Sequence, residues 1–113
     1  IMAWDPVAQK KVWGIKEKVP FNGGTLVTAG NVVFFGTFDG VFKAVDAKTG
    51  KELWKFNVGT GVGQAPITYS VNGKQYVAVV VGRSVSIPTF LGKVGADMVK
   101  HTPEGGALLV FGL

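Results

Sequence analysis

One eleven-residue pattern occurs twice in this chain. Ala44 to Trp54 reads Ala-Val-Asp-Ala-Lys-Thr-Gly-Lys-Glu-Leu-Trp, and Ala3 to Trp13 repeats its Ala, the Asp two residues later, a Lys and the closing Trp. The two closing tryptophans lie 41 residues apart. A repeat of roughly 40–45 residues, rich in short strands and turns, is typical of a β-propeller blade. The spacing therefore predicts an all-β chain organised as blades.

The turn inside each copy accounts for most of its conspicuous residues. Asp46 opens a polar stretch, and its carboxylate suits a turn because it can accept hydrogen bonds from nearby backbone N–H groups. Gly50 can adopt a positive φ without steric cost, which lets the chain reverse before Trp54. A tryptophan buries a large apolar surface and needs one partner for its N–H. We therefore expect Trp13 and Trp54 to pack between neighbouring blades, and assign them no cofactor role.

Apolar runs separated by turn residues predict a series of short strands. The run from Val32 to Gly36 is almost purely apolar, as expected of a strand that is buried on both faces. Asp39-Gly40 and Asn72-Gly73 are strong hairpin signals. The predicted strands are Ile1–Trp4, Lys11–Ile15, Thr25–Ala29, Val32–Gly36, Val41–Asp46, Glu52–Phe56, Pro66–Val71, Lys74–Val81 and Ala107–Phe111.

These strands divide into parts of three blades. Residues 1–15 are expected to end one blade, residues 24–57 to form a complete four-stranded blade, and residues 66–113 to form a last blade with an insertion at 83–105. The last blade would hold three strands and a free edge, which fits closure by a strand from the far N-terminus. Within the insertion, apolar residues at helical spacing predict a short amphipathic helix with Thr89 as a possible N-cap. Those residues are Leu91, Val94, Gly95, Met98 and Val99.

Composition excludes several classes of protein. A hydrophobic content of 47% with 17% charged residues is too apolar for a disordered chain. The run from Tyr76 to Val81 is far shorter than the roughly 20 residues that cross a bilayer, so we expect no membrane span. The formal charge is +5, but the basic residues are dispersed, which argues against a nucleic-acid partner. The chain opens on Ile1 with no signal-peptide pattern, and we expect it to begin inside a longer polypeptide.

No catalytic or metal-ligating constellation is visible in the sequence. There is no cysteine, and His101 is the only histidine, with no ligand at metal-site spacing. Residues 59–63 read Gly-Thr-Gly-Val-Gly, which lacks the Lys-Ser/Thr ending and the following helix of a phosphate-binding loop. We therefore predict no catalytic residue and no metal ligand in this segment.

The repeated motif and several further stretches resemble a known family. Ala-x-Asp-x-x-Thr-Gly-Lys-x-x-Trp is similar to the tryptophan-docking motif of the quinoprotein alcohol dehydrogenases of the methanol/ethanol type. The resemblance continues through residues 23–40, through Pro66-Ile67-Thr68-Tyr69 and through Gly73-Lys74-Gln75-Tyr76-Val77-Ala78-Val79. These enzymes use pyrroloquinoline quinone (PQQ) and are eight-bladed propellers several times longer than this chain. The resemblance implies a C-terminal segment of about two blades.

The activity that the resemblance implies is the oxidation of a primary alcohol to an aldehyde in the periplasm. The family's catalytic aspartate and the ligands of its Ca²⁺ or lanthanide ion match no position in this chain, so these groups are expected outside it. The implied partners are the remainder of the propeller chain, a small alcohol, and a cytochrome c or another electron acceptor. The segment would contribute blade closure and part of the PQQ pocket wall.

Two loops of this chain correspond to loops that approach PQQ in the family. In Phe21-Asn22-Gly23-Gly24, Asn22 stands where many members carry a Trp, which leaves mainly backbone contact through Gly23. The second loop begins Gly82-Arg83-Ser84 and lacks the Trp found there in methanol dehydrogenases. Arg83 and Ser84 instead offer hydrogen-bond donors, and the planar fork of an arginine matches a carboxylate of the quinone. The resemblance thus implies Asn22, Gly23, Arg83 and Ser84 as cofactor-binding residues.

Two other functions remain compatible with the sequence. Propellers with this motif also occur in non-enzymatic scaffolds that bind proteins, and a fold does not fix a function. About two blades per chain could also close a ring by self-assembly, because repeat units bury their faces on neighbours.

Overall fold

The computed structural model describes residues 1–18, 23–82, 92–101 and 105–113. Within these residues the chain forms nine β-strands and one α-helix. The strands are β1 (Met2–Asp5), β2 (Lys10–Gly14), β3 (Thr25–Val27), β4 (Val32–Gly36), β5 (Val41–Asp46), β6 (Glu52–Asn57), β7 (Ile67–Val71), β8 (Lys74–Gly82) and β9 (Gly106–Gly112), and the helix is α1 (Lys93–His101).

The strands form three antiparallel sheets in which chain neighbours pair with each other. The first sheet contains β1-β2, the middle sheet β3-β4-β5-β6 and the third sheet β7-β8-β9. Every predicted strand is present, within two residues at each end. The first strand of the middle sheet ends at Val27 rather than at Ala29, because residues 28–31 form a turn. In this turn Thr28 N–H donates to the Val32 carbonyl at 2.9 Å, and Asn31 has φ 62°.

The hairpin at Asn72-Gly73 is a two-residue connection between β7 and β8. Both residues have positive φ, 50° and 76°, as a turn that matches the right-handed twist of the flanking strands requires. Val71 pairs directly with Lys74 across it. The sequence signal therefore fixes the register of this hairpin, as predicted.

The middle sheet is covered on both faces. Val33, Phe35 and Val45 form one core cluster, against which Trp13 and Ile15 of the first sheet region pack. On the opposite face, Phe34, Phe42 and Ala44 join Val77, Val79 and Val81 of the third sheet. Alternate residues of β4 thus enter different cores, which explains why this strand is apolar throughout.

The outer face of the third sheet carries large apolar side chains that this chain leaves partly uncovered. They alternate along the strands with the residues that face the middle sheet, as the period of a strand requires. The exposed fractions run from 37% to 64% for Ile67, Tyr69, Val71, Val80, Leu108 and Val110. Contiguous apolar surface of this kind marks an interface.

The helix lies within the predicted insertion, and two of its apolar residues are only partly buried. Val94 and Val99 are 46% and 41% exposed, whereas Gly95 is buried. Thr89, the predicted N-cap, and Leu91 lie outside the described residues. No described helix has the length and apolar character needed to span a bilayer.

Candidate functional site

Several glycine-rich segments meet at one end of the middle and third sheets. We call them the loop cluster; it consists of Gly23–Gly24, Thr37–Gly40, Val58–Ala65, Gly82 and Gly105–Gly106. These segments precede β3, join β4 to β5, follow β6, end β8 and begin β9. Antiparallel order brings such connections to the same end of adjacent strands. The loop cluster therefore contains Gly23 and Gly82, which belong to the two loops that the resemblance implies as cofactor-binding.

Gly23 is the one predicted cofactor residue that the structure describes. It is buried, and a Cβ atom at this position would lie 2.8 Å from the Val62 carbonyl oxygen. The next residue, Gly24, has φ 81°, and a Cβ there would meet the Cβ of Ala65 at 2.9 Å. Both glycines are thus required by close backbone approach, so any contribution of Gly23 to a ligand is a backbone contribution.

Asn22, Arg83 and Ser84 lie outside the described residues. Their described chain neighbours, Gly23 and Gly82, nonetheless contact consecutive residues of one segment. Gly82 N–H donates to the Gly61 carbonyl at 2.7 Å, and Gly23 lies against the carbonyl of the residue that follows Gly61. Consecutive Cα atoms are about 3.8 Å apart. The fold therefore brings together Gly23 and Gly82, which are almost 60 residues apart in sequence and each adjoin one of the two loops.

Val62 anchors this segment to the middle sheet. Its side chain is fully buried, and it occupies the space above Gly36, where a Cβ atom would come within 2.4 Å of it. Its N–H donates to the Thr37 carbonyl at 2.9 Å. Thr60 and Val62 are both buried, although they alternate with glycines at 59, 61 and 63. No pattern in the sequence signals this anchor, because a single valine among glycines has no period.

The Thr37–Gly40 turn is held by its own side chains. The Thr37 hydroxyl donates to the Asp39 carboxylate and accepts from Val41 N–H at 3.2 Å. Thr37 is 2% exposed, and Gly40 has φ 94°. Asp39 is therefore a hairpin residue, as predicted, and its turn provides the rigid support on which Val62 rests.

The two motif tryptophans have different surroundings. Trp13 Nε1 donates to the Ala47 carbonyl at 2.9 Å, and its ring lies so close to Gly50 that a Cβ there would come within 2.8 Å of it. Trp54 instead contacts the ring of Phe111, with centroids 5.2 Å apart, and is 37% exposed. Both tryptophans pack between neighbouring sheets, as the sequence predicted.

Trp54 also borders an apolar groove of about 460 Å³ between the middle and third sheets. Phe34 and Phe42 line it from the middle sheet, and Phe111 and Leu113 line it from the third. The groove lies beside β9, whose far edge has no paired strand among the described residues.

Two interactions of charged groups support the fold in the described part of the chain. Hydrogen bonds from the backbone N–H groups of Lys48 and Thr49 hold the pKa of Asp46 below its ordinary value of 3.8. Lys43 forms a half-buried ion pair with Glu17 at 2.9 Å, which ties β5 to the segment after β2. Among the described residues no cluster of metal-ligating side chains occurs.

The described residues of the loop cluster would contribute mainly backbone atoms to a ligand pocket. No buried side-chain nitrogen or oxygen atom in the described part of the chain lacks a hydrogen-bond partner. Asn22, Arg83 and Ser84, the other residues that the resemblance implies, directly adjoin glycines of the loop cluster in sequence. The composition of the loop cluster is thus compatible with PQQ, with Gly23 contributing backbone only.

A four-stranded antiparallel sheet that packs between a two-stranded and a three-stranded sheet is the arrangement expected of consecutive β-propeller blades. The family model for the glucose/ethanol/alcohol dehydrogenase β-propeller domain, named for PQQ, matches residues 3–77. The chain belongs to this PQQ β-propeller family, which confirms the fold class and the resemblance seen in the sequence.

Relatives agree with this assignment over the whole chain. The quinoprotein ethanol dehydrogenase of Pseudomonas aeruginosa is 49% identical over 113 residues, which cover 100% of this chain and 18% of that protein. The 1-butanol dehydrogenase (cytochrome c) of Thauera butanivorans is 61% identical over 82 residues, 73% of this chain and 12% of that protein. A europium-containing methanol dehydrogenase superposes with a TM-score of 0.85 at 39% identity, covering 99% of this chain and 23% of that one. The chain thus spans 12% to 23% of the length of these proteins.

Proposed function

We propose that this chain is the C-terminal propeller segment of a PQQ-dependent alcohol dehydrogenase that oxidises a primary alcohol to an aldehyde. The observation that carries the proposal is the similarity of the entire chain, in sequence and in fold, to quinoprotein alcohol dehydrogenases. When bound, PQQ supplies the two-electron acceptor for the alcohol. The residues of this chain bind and orient, and the catalytic base and the Ca²⁺ or lanthanide ligands come from the rest of the polypeptide.

Each sheet has a place in the proposed propeller. Residues 1–15 end one blade, residues 24–57 form a complete blade, and residues 66–113 form the last blade with its insertion at 83–105. The partly exposed apolar face of the third sheet supports this arrangement, because an adjacent blade would cover it. The contact of Trp13 with Ala47 and Gly50 supports reading the repeated motif as a tryptophan dock between blades.

The loop cluster is the proposed part of the PQQ pocket wall. Asn22 and Gly23 would present mainly backbone atoms toward the quinone, while Arg83 and Ser84 would present side chains. Arginine suits this role because PQQ carries carboxylates, which a guanidinium can bind through two hydrogen bonds. The proposed physiological setting is the periplasm, with a cytochrome c or another protein as the electron acceptor.

The test is a reconstitution of the full-length protein. We expect reduction of an artificial dye to require PQQ, Ca²⁺ or a lanthanide, and a primary alcohol together, with the omission of each component as a control. The native polypeptide should have a denatured mass several times the 11.9 kDa of this chain. A full-length protein that binds no PQQ by equilibrium dialysis would refute the proposal and favour a non-enzymatic scaffold. A native mass near 11.9 kDa would favour a self-assembling ring.

Periplasmic location has a separate test. Cell fractionation with antibodies against the protein should place it with a periplasmic marker and apart from a cytoplasmic one. Recovery with the cytoplasmic marker would contradict the proposed location without bearing on PQQ binding.

A further inference from the structure

We propose that Gly61 and Val62 are positioning residues that set the spacing between the two loops of the PQQ pocket wall. This inference rests on the proposed function, since it concerns the same pocket. Neither residue is among those that the sequence pattern or the resemblance singled out as cofactor-binding. The inference comes from the contacts that the two residues make on either side.

The first step concerns the loop that begins at Gly82. The hydrogen bond from Gly82 N–H to the Gly61 carbonyl is 2.7 Å long and joins the end of β8 to the connection after β6. A Cβ atom at Gly61 would lie 2.9 Å from the Phe38 carbonyl oxygen and 3.3 Å from the Gly82 carbonyl oxygen. Gly61 is therefore clamped between two backbones. Any side chain there would push the connection away from the residue that immediately precedes Arg83.

The second step concerns the loop that ends at Gly23. The Val62 carbonyl oxygen stands 2.8 Å from the position of a Cβ atom at Gly23, and the backbone of Gln64 lies next to it, at 3.4 Å. These contacts define how closely the backbone of Gly23 approaches the connection that follows β6. A shift of Val62 therefore changes the room available to the Gly23 backbone.

The third step is the anchor that makes this spacing rigid. Val62 is fully buried over Gly36, and its N–H donates to the Thr37 carbonyl at 2.9 Å. Thr37 is in turn fixed by its hydrogen bonds to Asp39 and Val41. The connection is thus tied to the middle sheet at Val62, next to the residue that accepts the hydrogen bond from Gly82. Positions for binding must be held within about 0.5 Å by such supporting packing.

The test measures PQQ affinity of the full-length apoprotein by equilibrium dialysis, with thermal unfolding of each variant alongside. Gly61→Ala introduces a clash with the Phe38 carbonyl oxygen and a tight contact with the Gly82 carbonyl oxygen. We expect it to raise the dissociation constant for PQQ about tenfold or more, given what misplacement of binding groups costs. Gly30→Ala is the matched control, in the turn between β3 and β4 and outside the loop cluster. A Cβ there would meet only the Thr28 hydroxyl oxygen, at an ordinary 3.8 Å, so the affinity should stay within about twofold.

A second pair covers the case in which Gly61→Ala does not fold. Val62→Ala and Val77→Ala delete the same atoms from fully buried valines of one core cluster. Val77 lies five residues before Gly82 on β8, away from the loop cluster. We expect a comparable loss of stability from both, because both leave a similar cavity. Only Val62→Ala should weaken PQQ binding, by several-fold.

The outcomes separate this inference from the proposed function. Unchanged PQQ affinity in folded Gly61→Ala and Val62→Ala proteins would overturn the positioning role while leaving the proposed function intact. Equal weakening in Val62→Ala and Val77→Ala would also overturn it, because the effect would then follow stability alone. A parent protein that binds no PQQ would overturn both.

Discussion

The contact between Trp13 and Gly50 makes a quantitative prediction about how the first and middle sheets are joined. Gly50 has φ 75°, and a Cβ atom there would lie 2.8 Å from two carbons of the Trp13 ring. Gly50→Ala should therefore incur two costs. The left-handed backbone costs an alanine about 1 kcal/mol, and the overlap with the ring costs about 1–3 kcal/mol as the packing adjusts. The total expected loss in the free energy of unfolding is about 2–4 kcal/mol.

Two further variants isolate these costs. Gly73 has nearly the same φ, 76°, but nothing lies within 4 Å of its Cβ position, so Gly73→Ala should show only the backbone cost of about 1 kcal/mol. In a Trp13→Ala background the ring is gone, and Gly50→Ala should likewise cost only about 1 kcal/mol. The double-mutant cycle between positions 13 and 50 then gives a coupling of about 1–3 kcal/mol.

The assay is denaturant unfolding of the full-length protein, followed by far-UV circular dichroism so that loss of a tryptophan does not alter the probe. If Gly50→Ala costs the same with and without Trp13, within about 0.5 kcal/mol, the two sites are independent. That result would refute the reasoning that the indole ring excludes a side chain at residue 50.

Three other predictions follow from burial and charge. Phe35→Ala removes a fully buried ring and should lower the free energy of unfolding by about 3–5 kcal/mol, whereas a change below 1 kcal/mol would contradict the burial of this face. Hydrogen bonds from the backbone N–H groups of Lys48 and the next residue hold the folded-state pKa of Asp46 below 3.8. The stability that this carboxylate contributes is therefore present above pH about 4, and it is lost as the pH falls through the lowered pKa. Asp46→Asn should therefore flatten the acid limb of a stability–pH curve, and an unchanged limb would count against this. Glu17→Gln breaks the ion pair with Lys43 and should lower the free energy of unfolding by about 1 kcal/mol, with a smaller loss in high salt. In a Lys43→Met background the same substitution should lower it measurably less.

Local sequence patterns were sufficient for the strands and turns. A strand needs only its own alternation or apolar run, and a two-residue hairpin needs only residues that tolerate positive φ, as at Asn72-Gly73. The apolar run Val32 to Gly36 likewise predicted a strand that is buried on both faces, and the structure places its alternate residues in two core clusters. Where the prediction of a strand failed, at Thr28 and Ala29, the turn before Val32 had competed for the same residues.

The helix shows where local pattern gave the element but not its role. Helical spacing identified the segment, and the structure forms a helix from Lys93 to His101. In the structure Val94 and Val99 of this helix are 46% and 41% exposed. Which surface a helix meets depends on what packs beside it, and its own period carries no information about that.

The sequence by itself determined the blade repeat, the order of strands and the family, because each is written in short-range spacing or in residue types at fixed offsets. Only the tertiary structure decided that Trp13 meets Ala47 and Gly50 while Trp54, at the same motif position, meets Phe111. It also decided that the Gly23 and Gly82 loops share the Gly61–Val62 connection. The physical reason is the same in both cases. Contacts between sheets depend on how separate segments stack, and residues tens of positions apart leave no periodic trace of that in the chain.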